Sequence, residues 1–89
     1  MAYKLFIADE KIWRKDCSRI PKEQLQQIIR KLRALEQDPW AENVQVKQLK
    51  NYELADFRLR IGEYRVLFDK DDDAKTITFL RVLHRSKLY

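Results

Sequence analysis

The stretch Arg58–Arg65 constrains the fold of this 89-residue chain more than any other segment. It predicts two antiparallel strands joined by a two-residue turn, because alternating apolar and basic residues flank that turn. Gly62 is the chain's single glycine, and at the first central position it supplies the positive φ that a type II′ turn requires. The turn fixes the register of the ladder. The predicted cross-strand pairs are Ile61 with Tyr64, Arg60 with Arg65, and Arg58 with Leu67.

This register separates the side chains of the hairpin into an apolar side and an arginine side. The apolar side is predicted to lie in the core and comprises Phe57, Leu59, Ile61, Tyr64, Val66 and Phe68. Arg58, Arg60 and Arg65 fall on the other side. Because like charges directly opposite each other cost stability, we interpret the arginine cluster as a site that holds an anion.

Hydrophobic periodicity predicts two helices before the hairpin. Asp9 is a candidate N-cap for a short helix over residues 10–17. A second helix is predicted to begin at Ile20-Pro21, where proline is tolerated in the first turn, and to end at Asp38-Pro39. Its apolar residues recur at helical spacing and predict a core-facing stripe of Leu25, Ile28, Ile29, Leu32 and Leu35.

The remaining strands complete the predicted fold. Strands are predicted over Tyr3–Ala8 and over residues 55–61, 64–69 and 76–83, whereas Trp40–Glu53 is predicted to be a loop. The order β-α-α-β-β-β predicts an α+β fold, a small antiparallel four-stranded sheet with two N-terminal helices packed on one face. Residues 1–89 are expected to form a single domain. The opposite face of the sheet is then expected to stay open and to carry the arginines.

The last predicted strand alternates strictly in the sequence ITFLRVLHR. Alternation places Leu80 and Val82 in the core, and Arg81 and Arg85 on the arginine side. His84 reaches the arginine side only if the strand twists or bulges at its end. The alternative for His84 is a hydrogen-bonded structural residue.

Charge and composition narrow the classes of partner. The chain has 19 Lys and Arg residues against 14 Asp and Glu residues, a formal net charge of +5, which favours RNA, DNA or an acidic protein segment as the partner. One cysteine, Cys17, and one histidine, His84, exclude an internal disulfide and predict neither a metal site nor a cofactor. Cys17 is expected to pack as a small apolar residue, the alternative being a nucleophile pair with His84. Neither a membrane span nor a signal peptide is predicted, so the cytoplasm is the expected location.

The arginine cluster indicates phosphate binding, and the sequence permits one metal-free route to phosphodiester cleavage. In RNA the 2′-OH is an internal nucleophile: a base removes its proton, cations stabilise the phosphorane, and an acid protonates the leaving 5′-oxygen. Arginine suits the cationic role and is a poor base, since its pKa exceeds about 12. His84 is the candidate base or acid, and Tyr89 is a candidate for stacking on a base or orienting the nucleotide.

The chain resembles the RelE/ParE superfamily of bacterial toxin–antitoxin toxins over nearly its whole length, most strongly from Leu49 to Tyr89. The shared pattern is a leucine followed by a basic residue, a strand with alternating basic residues, G-x-Y-R opening the next strand, and a last strand ending in H-R with tyrosine four residues on. The sequence G-E-Y-R at residues 62–65 and the sequence H-R at residues 84–85 match this pattern.

The resemblance to the RelE branch implies an endoribonuclease that cleaves mRNA in the ribosomal A site by the 2′-OH route. It implies catalytic roles for Arg65, Arg85 and Tyr89. Arg58 and Arg60 stand where some RelE toxins carry lysines, so they keep the phosphate charge but leave the proton acceptor open.

His84 is the first candidate for that proton acceptor, and Lys47, Lys50 and Lys87 are the alternatives. Lys47, Lys50 and Arg81 are the expected substrate-binding residues. The resemblance also implies a cognate antitoxin, expected to cover the toxin with an acidic amphipathic segment that folds on binding and to form a toxin–antitoxin hetero-oligomer.

Two other functions remain open from the sequence. The ParE branch has the same fold and inhibits DNA gyrase by protein–protein binding. A basic nucleic-acid-binding module without activity is a further alternative. The set of basic and aromatic residues favours the RelE branch.

Overall fold

The computed structural model describes residues 3–36, 45–49 and 55–87, and its strands form one sheet. The elements, in chain order, are β1 (Lys4–Ile7), α1 (Glu10–Ser18), α2 (Lys22–Ala34), β2 (Gln45–Gln48), β3 (Phe57–Ile61), β4 (Tyr64–Asp71) and β5 (Thr76–His84), followed by a 3₁₀ turn over Arg85–Lys87. The order of strands across the sheet is β1-β5-β4-β3-β2. In the described part of the chain, neither helix is long and apolar enough to cross a membrane.

The predicted α+β class, with two helices packed on one face of the sheet, is confirmed. The core consists of the inward residues of both helices and of one face of the sheet: Ile20, Ile28, Leu32, Leu35, Phe57, Leu59, Ile61, Val66, Phe68, Ile77, Phe79 and Val82. Each fully buried aliphatic or aromatic side chain contributes about 1.5–3 kcal/mol relative to an exposed one. Five of the six residues predicted for the apolar side of the hairpin lie in this core, and the sixth, Tyr64, is half-buried against it.

Local signals explain the helix boundaries. Asp9 is the N-cap of α1, and its side chain accepts hydrogen bonds from the backbone N–H groups of Lys11 and Ile12. Helix α2 ends at Ala34, earlier than the predicted end at Asp38-Pro39, which lies outside the described residues. The backbone N–H of Leu35 turns back to the carbonyl of Leu32, 3.1 Å away, a tighter bond than the α-helical pattern.

The sheet differs from the prediction in the number and direction of its strands. It has five strands rather than four, because β2 forms inside the segment predicted to be a loop and pairs antiparallel with β3. It is also mixed, since β1 pairs parallel with β5. A four-residue edge strand of sequence QVKQ carries little strand propensity of its own, and pairing between the first and last strands leaves no local sequence signal.

The hairpin has the predicted geometry. Its cross-strand pairs are Ile61 with Tyr64, Arg60 with Arg65, and Arg58 with Leu67. Gly62 has a φ of 55°, whereas Glu63 does not take a positive φ, which matches a type II′ turn rather than a type I′ turn. The space around a Cβ at Gly62 is empty, so glycine is required there by the backbone conformation rather than by packing.

A β-bulge in β5 changes which residues face the core. Phe79 pairs with Phe68 and Arg81 pairs with Leu67, so Leu80 is an extra residue opposite the β4 ladder. Phe79 and Val82 are buried, whereas Leu80 is only half-buried. The predicted core position of Val82 is confirmed, and that of Leu80 is wrong because strict alternation fails at the bulge.

Asp16 of α1 fastens the helix to the bulged segment. Its buried carboxylate accepts two hydrogen bonds from the Arg81 guanidinium, at 2.7 and 2.9 Å, and a third from the backbone N–H of Val82 at 3.2 Å. Only 4% of Asp16 is exposed. The carboxylate thus pairs with the Val82 N–H, which lies beyond the end of the β1–β5 pairing. It also holds the Arg81 guanidinium in place.

We expect the replacement Asp16→Ala to lower the free energy of unfolding by about 3 kcal/mol, because it removes the acceptor of a partly buried guanidinium and of a buried N–H. Urea unfolding measures the change. Glu10 pairs with Arg14 at 3.5 Å on the exposed face of α1, so Glu10→Ala is the matched control and should cost less than about 1 kcal/mol. Equal losses in the two variants would contradict the role of Asp16.

Candidate functional site

Three strands bring four cationic residues to the face of the sheet opposite the helices. Lys47 of β2 lies opposite Arg58 of β3, and Arg60 lies opposite Arg65 of β4. Because Arg58 and Arg60 are two residues apart on one strand, both pairs point to the same side. We refer to Lys47, Arg58, Arg60 and Arg65 as the basic face.

The basic face is less open than the sequence predicts. Lys47 and Arg60 are exposed, but only 7% of Arg65 is, and Leu67 beside it is fully buried. One terminal nitrogen of Arg65 donates to the backbone carbonyls of Gly62 and Tyr64, each at 2.9 Å. Arg65 therefore binds the inner side of the hairpin turn, and its charge lies beneath the surface.

Arg85 reaches the same turn from the end of β5. Its Nε is 2.6 Å from Oε2 of Glu63, and its backbone N–H donates to the Glu63 carbonyl at 2.8 Å. Arg65 and Arg85 therefore both contact the two-residue turn formed by Gly62 and Glu63. Sequence reasoning missed Glu63. The pairing register of β4 with β5 identifies Glu63 as a site residue, because the pair Tyr64–His84 places Glu63 next to Arg85.

The structure gives Arg81 a different neighbourhood from the one expected of a substrate-binding residue. Its guanidinium is bound to the buried Asp16 carboxylate, and so it holds α1. The residue of β5 that lies opposite Arg65 is Leu83. The basic face thus has an apolar neighbour on β5, and Arg85 adds its charge at the strand end only.

His84 lies on the helix side of the sheet and not with the arginines. It is the cross-strand partner of Tyr64, and the two rings meet edge to face with centroids 5.4 Å apart. Its Nδ1 is 2.9 Å from the Ser86 hydroxyl and accepts the backbone N–H of Ser86 at 3.2 Å. The ring borders a cavity of about 280 Å³ that Arg19 and Lys87 also line. The strand end does not twist to bring the imidazole to the basic face.

The other residues singled out by the sequence lie apart from this cluster. Lys50 and Tyr89 fall outside the described residues. Cys17 lines a different cavity from His84, and burial, followed by the negative charge of Asp16, raises the pKa of its thiol. A protonated thiol is a poor nucleophile, so the geometry does not support a Cys17–His84 pair. Within residues 3–36, 45–49 and 55–87, no cluster of three or more metal-ligating side chains occurs.

An apolar groove lies between the edge strand β1 and the two helices. It has a volume of about 550 Å³ and is lined by Phe6, Ile7, Trp13, Cys17, Leu25 and Ile29, among others. Phe6 is 50% exposed, and Ile7 and Ile29 are exposed as well. Apolar surface exposed around an edge strand is typical of a protein-binding site.

Known proteins show which class this fold and this site define. A family model described as "ParE toxin of type II toxin-antitoxin system, parDE" matches residues 8–89. The chain therefore belongs to this family of type II toxin–antitoxin toxins, which is part of the RelE/ParE superfamily. No match is found among curated proteins.

Solved structures add similarity to RelE toxins. A chain of the toxin–antitoxin complex RelBE2 from Mycobacterium tuberculosis is 28% identical with a TM-score of 0.77, over 96% of this chain and 100% of that one. A chain of the archaeal RelE–RelB complex from Pyrococcus horikoshii OT3 is 26% identical with a TM-score of 0.77, over 98% and 99%. A chain of the RelB–RelE complex from Methanococcus jannaschii is 26% identical with a TM-score of 0.73, over 94% of each. The predicted RelE-like fold is thereby confirmed.

The contacts of His84 predict its tautomer. Because Nδ1 accepts the Ser86 N–H, the proton of the neutral ring lies on Nε2. Long-range ¹H–¹⁵N correlation spectra of the protein at alkaline pH should show the Nε2–H pattern for the single histidine. The Nδ1–H pattern would contradict the described geometry.

Proposed function

We propose that the chain is a metal-independent endoribonuclease that cleaves mRNA on the ribosome by attack of the 2′-OH on the adjacent phosphodiester. The observation that carries the proposal is the convergence of Arg65 and Arg85 on the Gly62–Glu63 turn, at the end of the basic face. Two guanidinium groups at one turn, with exposed cations beside them, can stabilise the additional negative charge that a phosphodiester carries in the transition state of cleavage.

The exposed and the buried arginines have different proposed roles. Arg60 and Arg85 are exposed, so they bind the non-bridging oxygens of the scissile phosphate directly. The buried charge of Arg65 acts at short range through a medium of low dielectric, where electrostatic stabilisation is strong. Arg58 and Lys47 continue the positive surface along β3 and β2 and bind the neighbouring phosphates.

Three residues outside the basic face complete the proposed site. Tyr89 stacks on a base or orients the scissile nucleotide, as the family resemblance implies. Lys50 is an additional phosphate ligand. His84 carries a proton on Nε2, so its role is that of a donor to RNA that passes around the strand end, and not that of the base.

The ribosome aligns the RNA for cleavage in the proposed reaction. Holding the 2′-oxygen, the phosphorus and the leaving 5′-oxygen in line removes much of the entropic barrier to cleavage. A bound mRNA codon arrives already unpaired and oriented. A small protein that presents Arg60 and Arg85 at its surface is then sufficient for the reaction, and the cytoplasm is the proposed location.

The partner that restrains this activity is proposed to be an antitoxin. The similar toxins from Mycobacterium tuberculosis and from the two archaea were solved in antitoxin complexes. The apolar groove beside β1 suits an amphipathic segment, since its walls are apolar and its rim carries Arg33 and Glu36. We propose a hetero-oligomer in which that segment fills the groove and an acidic stretch covers the basic face.

Inhibition of DNA gyrase is the second candidate function. Two observations favour it: the matching family model is that of ParE, and the residue opposite Arg65 on β5 is Leu83 rather than a cation. On this account the basic face binds protein and performs no chemistry. A gyrase supercoiling assay with the purified chain discriminates between the two functions.

We expect Arg85→Ala to lower mRNA cleavage by about 10²-fold or more, because it removes a cation aimed at the developing charge. Primer extension on mRNA from cells that express the chain without an antitoxin maps cleavage as new 5′ ends of downstream fragments, within translated codons. Growth should stop with the wild-type chain and continue with the variant.

The matched control is Arg14→Ala, which removes another exposed, ion-paired arginine, on helix α1. The guanidinium of Arg14 pairs with Glu10, and that of Arg85 pairs with Glu63. Each substitution therefore breaks one surface ion pair. Full activity of the control, with loss in Arg85→Ala, supports the proposal. Unchanged cleavage by a folded Arg85→Ala protein refutes the role of Arg85.

A further inference from the structure

The proposed reaction needs a base at the Gly62–Glu63 turn, where Arg65 and Arg85 meet. Of the described candidates, His84 lies on the helix side of the sheet, and Lys47 lies opposite Arg58, at the end of the basic face away from the turn. The guanidinium group of arginine cannot accept a proton at neutral pH. The acceptor nitrogen of His84 is occupied by Ser86, and its ring lies on the helix side of the sheet. A proton acceptor must lie within hydrogen-bond reach of the 2′-OH, so it has to stand beside the phosphate-binding cations.

Glu63 is the acidic residue at that position. Its carboxylate is 2.6 Å from Nε of Arg85, and its neighbour Gly62 accepts from Arg65 at 2.9 Å. A phosphate bound by the exposed Arg85, near the buried charge of Arg65, therefore lies next to this carboxylate. An ionised carboxylate is an acceptor with two oxygens, so one oxygen can keep its contact with Arg85 while the other accepts a proton from a bound nucleotide.

We propose that Glu63 is the general base of this protein's RNA cleavage, an assignment that rests on the proposed endoribonuclease function. Glu63 takes the proton of the 2′-OH, and the freed 2′-oxygen forms a bond to phosphorus. The bond between phosphorus and the 5′-oxygen breaks, and the 5′-oxygen takes a proton from water. The products are a 2′,3′-cyclic phosphate and a 5′-hydroxyl. The resulting hydroxide accepts the proton held by Glu63, which restores the carboxylate.

The ion pair with Arg85 is compatible with this role. The side chains are 58% and 54% exposed, and an ion pair of that kind contributes little to stability because water screens it. A dianionic phosphorane competes for Arg85 as its charge develops, and the carboxylate is then free to hold the proton. The hydrogen bond between the Arg85 N–H and the Glu63 carbonyl keeps the two residues together throughout.

The rival account is that Glu63 only occupies Arg85 until RNA arrives. The two accounts predict opposite signs for one substitution. Glu63→Gln keeps the length of the side chain and an oxygen that accepts from Arg85, but it removes the basic carboxylate. If Glu63 is the base, the variant loses activity. If Glu63 merely competes with phosphate, the variant gains activity.

The test is single-turnover cleavage of mRNA on purified ribosomes that hold a defined codon in the A site. We expect Glu63→Gln to cleave about 10²-fold more slowly than the wild-type chain and to bind the ribosome equally well. Glu63→Asp should restore part of the rate, because it returns a carboxylate. Glu10→Gln is the matched control, since it removes an exposed carboxylate that also pairs with an arginine.

The pH dependence of the cleavage rate shows whether Glu63 acts as a base or only as a structural residue. The charged neighbours of Glu63 are the permanent cations Arg65 and Arg85. The neutral Gln24 and Gln27 share a cleft of about 140 Å³ with it. Its titratable neighbours are Tyr64 and His84. The wild-type rate should fall in acid as the base is protonated, and Glu63→Gln should lose that acidic limb.

Each outcome decides the assignment. An unchanged or faster rate in Glu63→Gln overturns it while the nuclease function stands. A slower rate with an intact acidic limb also overturns it, since the base is then another group. A wild-type chain that leaves ribosome-bound mRNA intact overturns both the assignment and the proposed function.

Discussion

The type II′ turn at Gly62 and Glu63 is the constraint on which the rest of the candidate site depends. A positive φ of 55° at Gly62 sets the pairing of β3 with β4, and through it which side chains enter the core. A slip of one residue would exchange the apolar and basic faces, because successive side chains of a strand point to opposite sides. The same turn presents a backbone carbonyl to Arg65 and a carboxylate to Arg85. Fold and site therefore share one local determinant.

A second constraint fixes β5, the strand that lies between β1 and β4. The bulge at Leu80 returns Val82 to the core after Phe79, and the Asp16 carboxylate satisfies the Val82 N–H and neutralises Arg81. Because β5 ends at His84 and Arg85 follows at once, its register decides where Arg85 meets the turn. The buried ion pair between Asp16 and Arg81 thus contributes to the site through the strand that it holds.

The local features could be read from the sequence, and the non-local ones could not. A single glycine between alternating residues predicted the hairpin, its register and its two faces, and Asp9 predicted the start of α1. The pairing of β1 with β5 and the weak edge strand β2 depend on contacts distant in sequence, for which no periodic pattern exists. The contact of Arg81 with Asp16 was missed for the same reason: neither the bulge nor the position of Asp16 is visible in a strictly alternating strand. Glu63 was missed because its contact with Arg85 depends on the β4–β5 register.

If the basic face and its turn cleave RNA through the 2′-OH, the chemical nature of the cleaved ends tests this most directly. Purified protein is incubated with programmed ribosomes, and the 3′ ends of the upstream mRNA fragments are analysed by mass spectrometry. We expect 2′,3′-cyclic phosphates, with 5′-hydroxyl groups on the downstream fragments, in buffers containing a chelator at a level that leaves the ribosomes intact. Intact mRNA, together with inhibition of DNA gyrase by the same preparation, would contradict it.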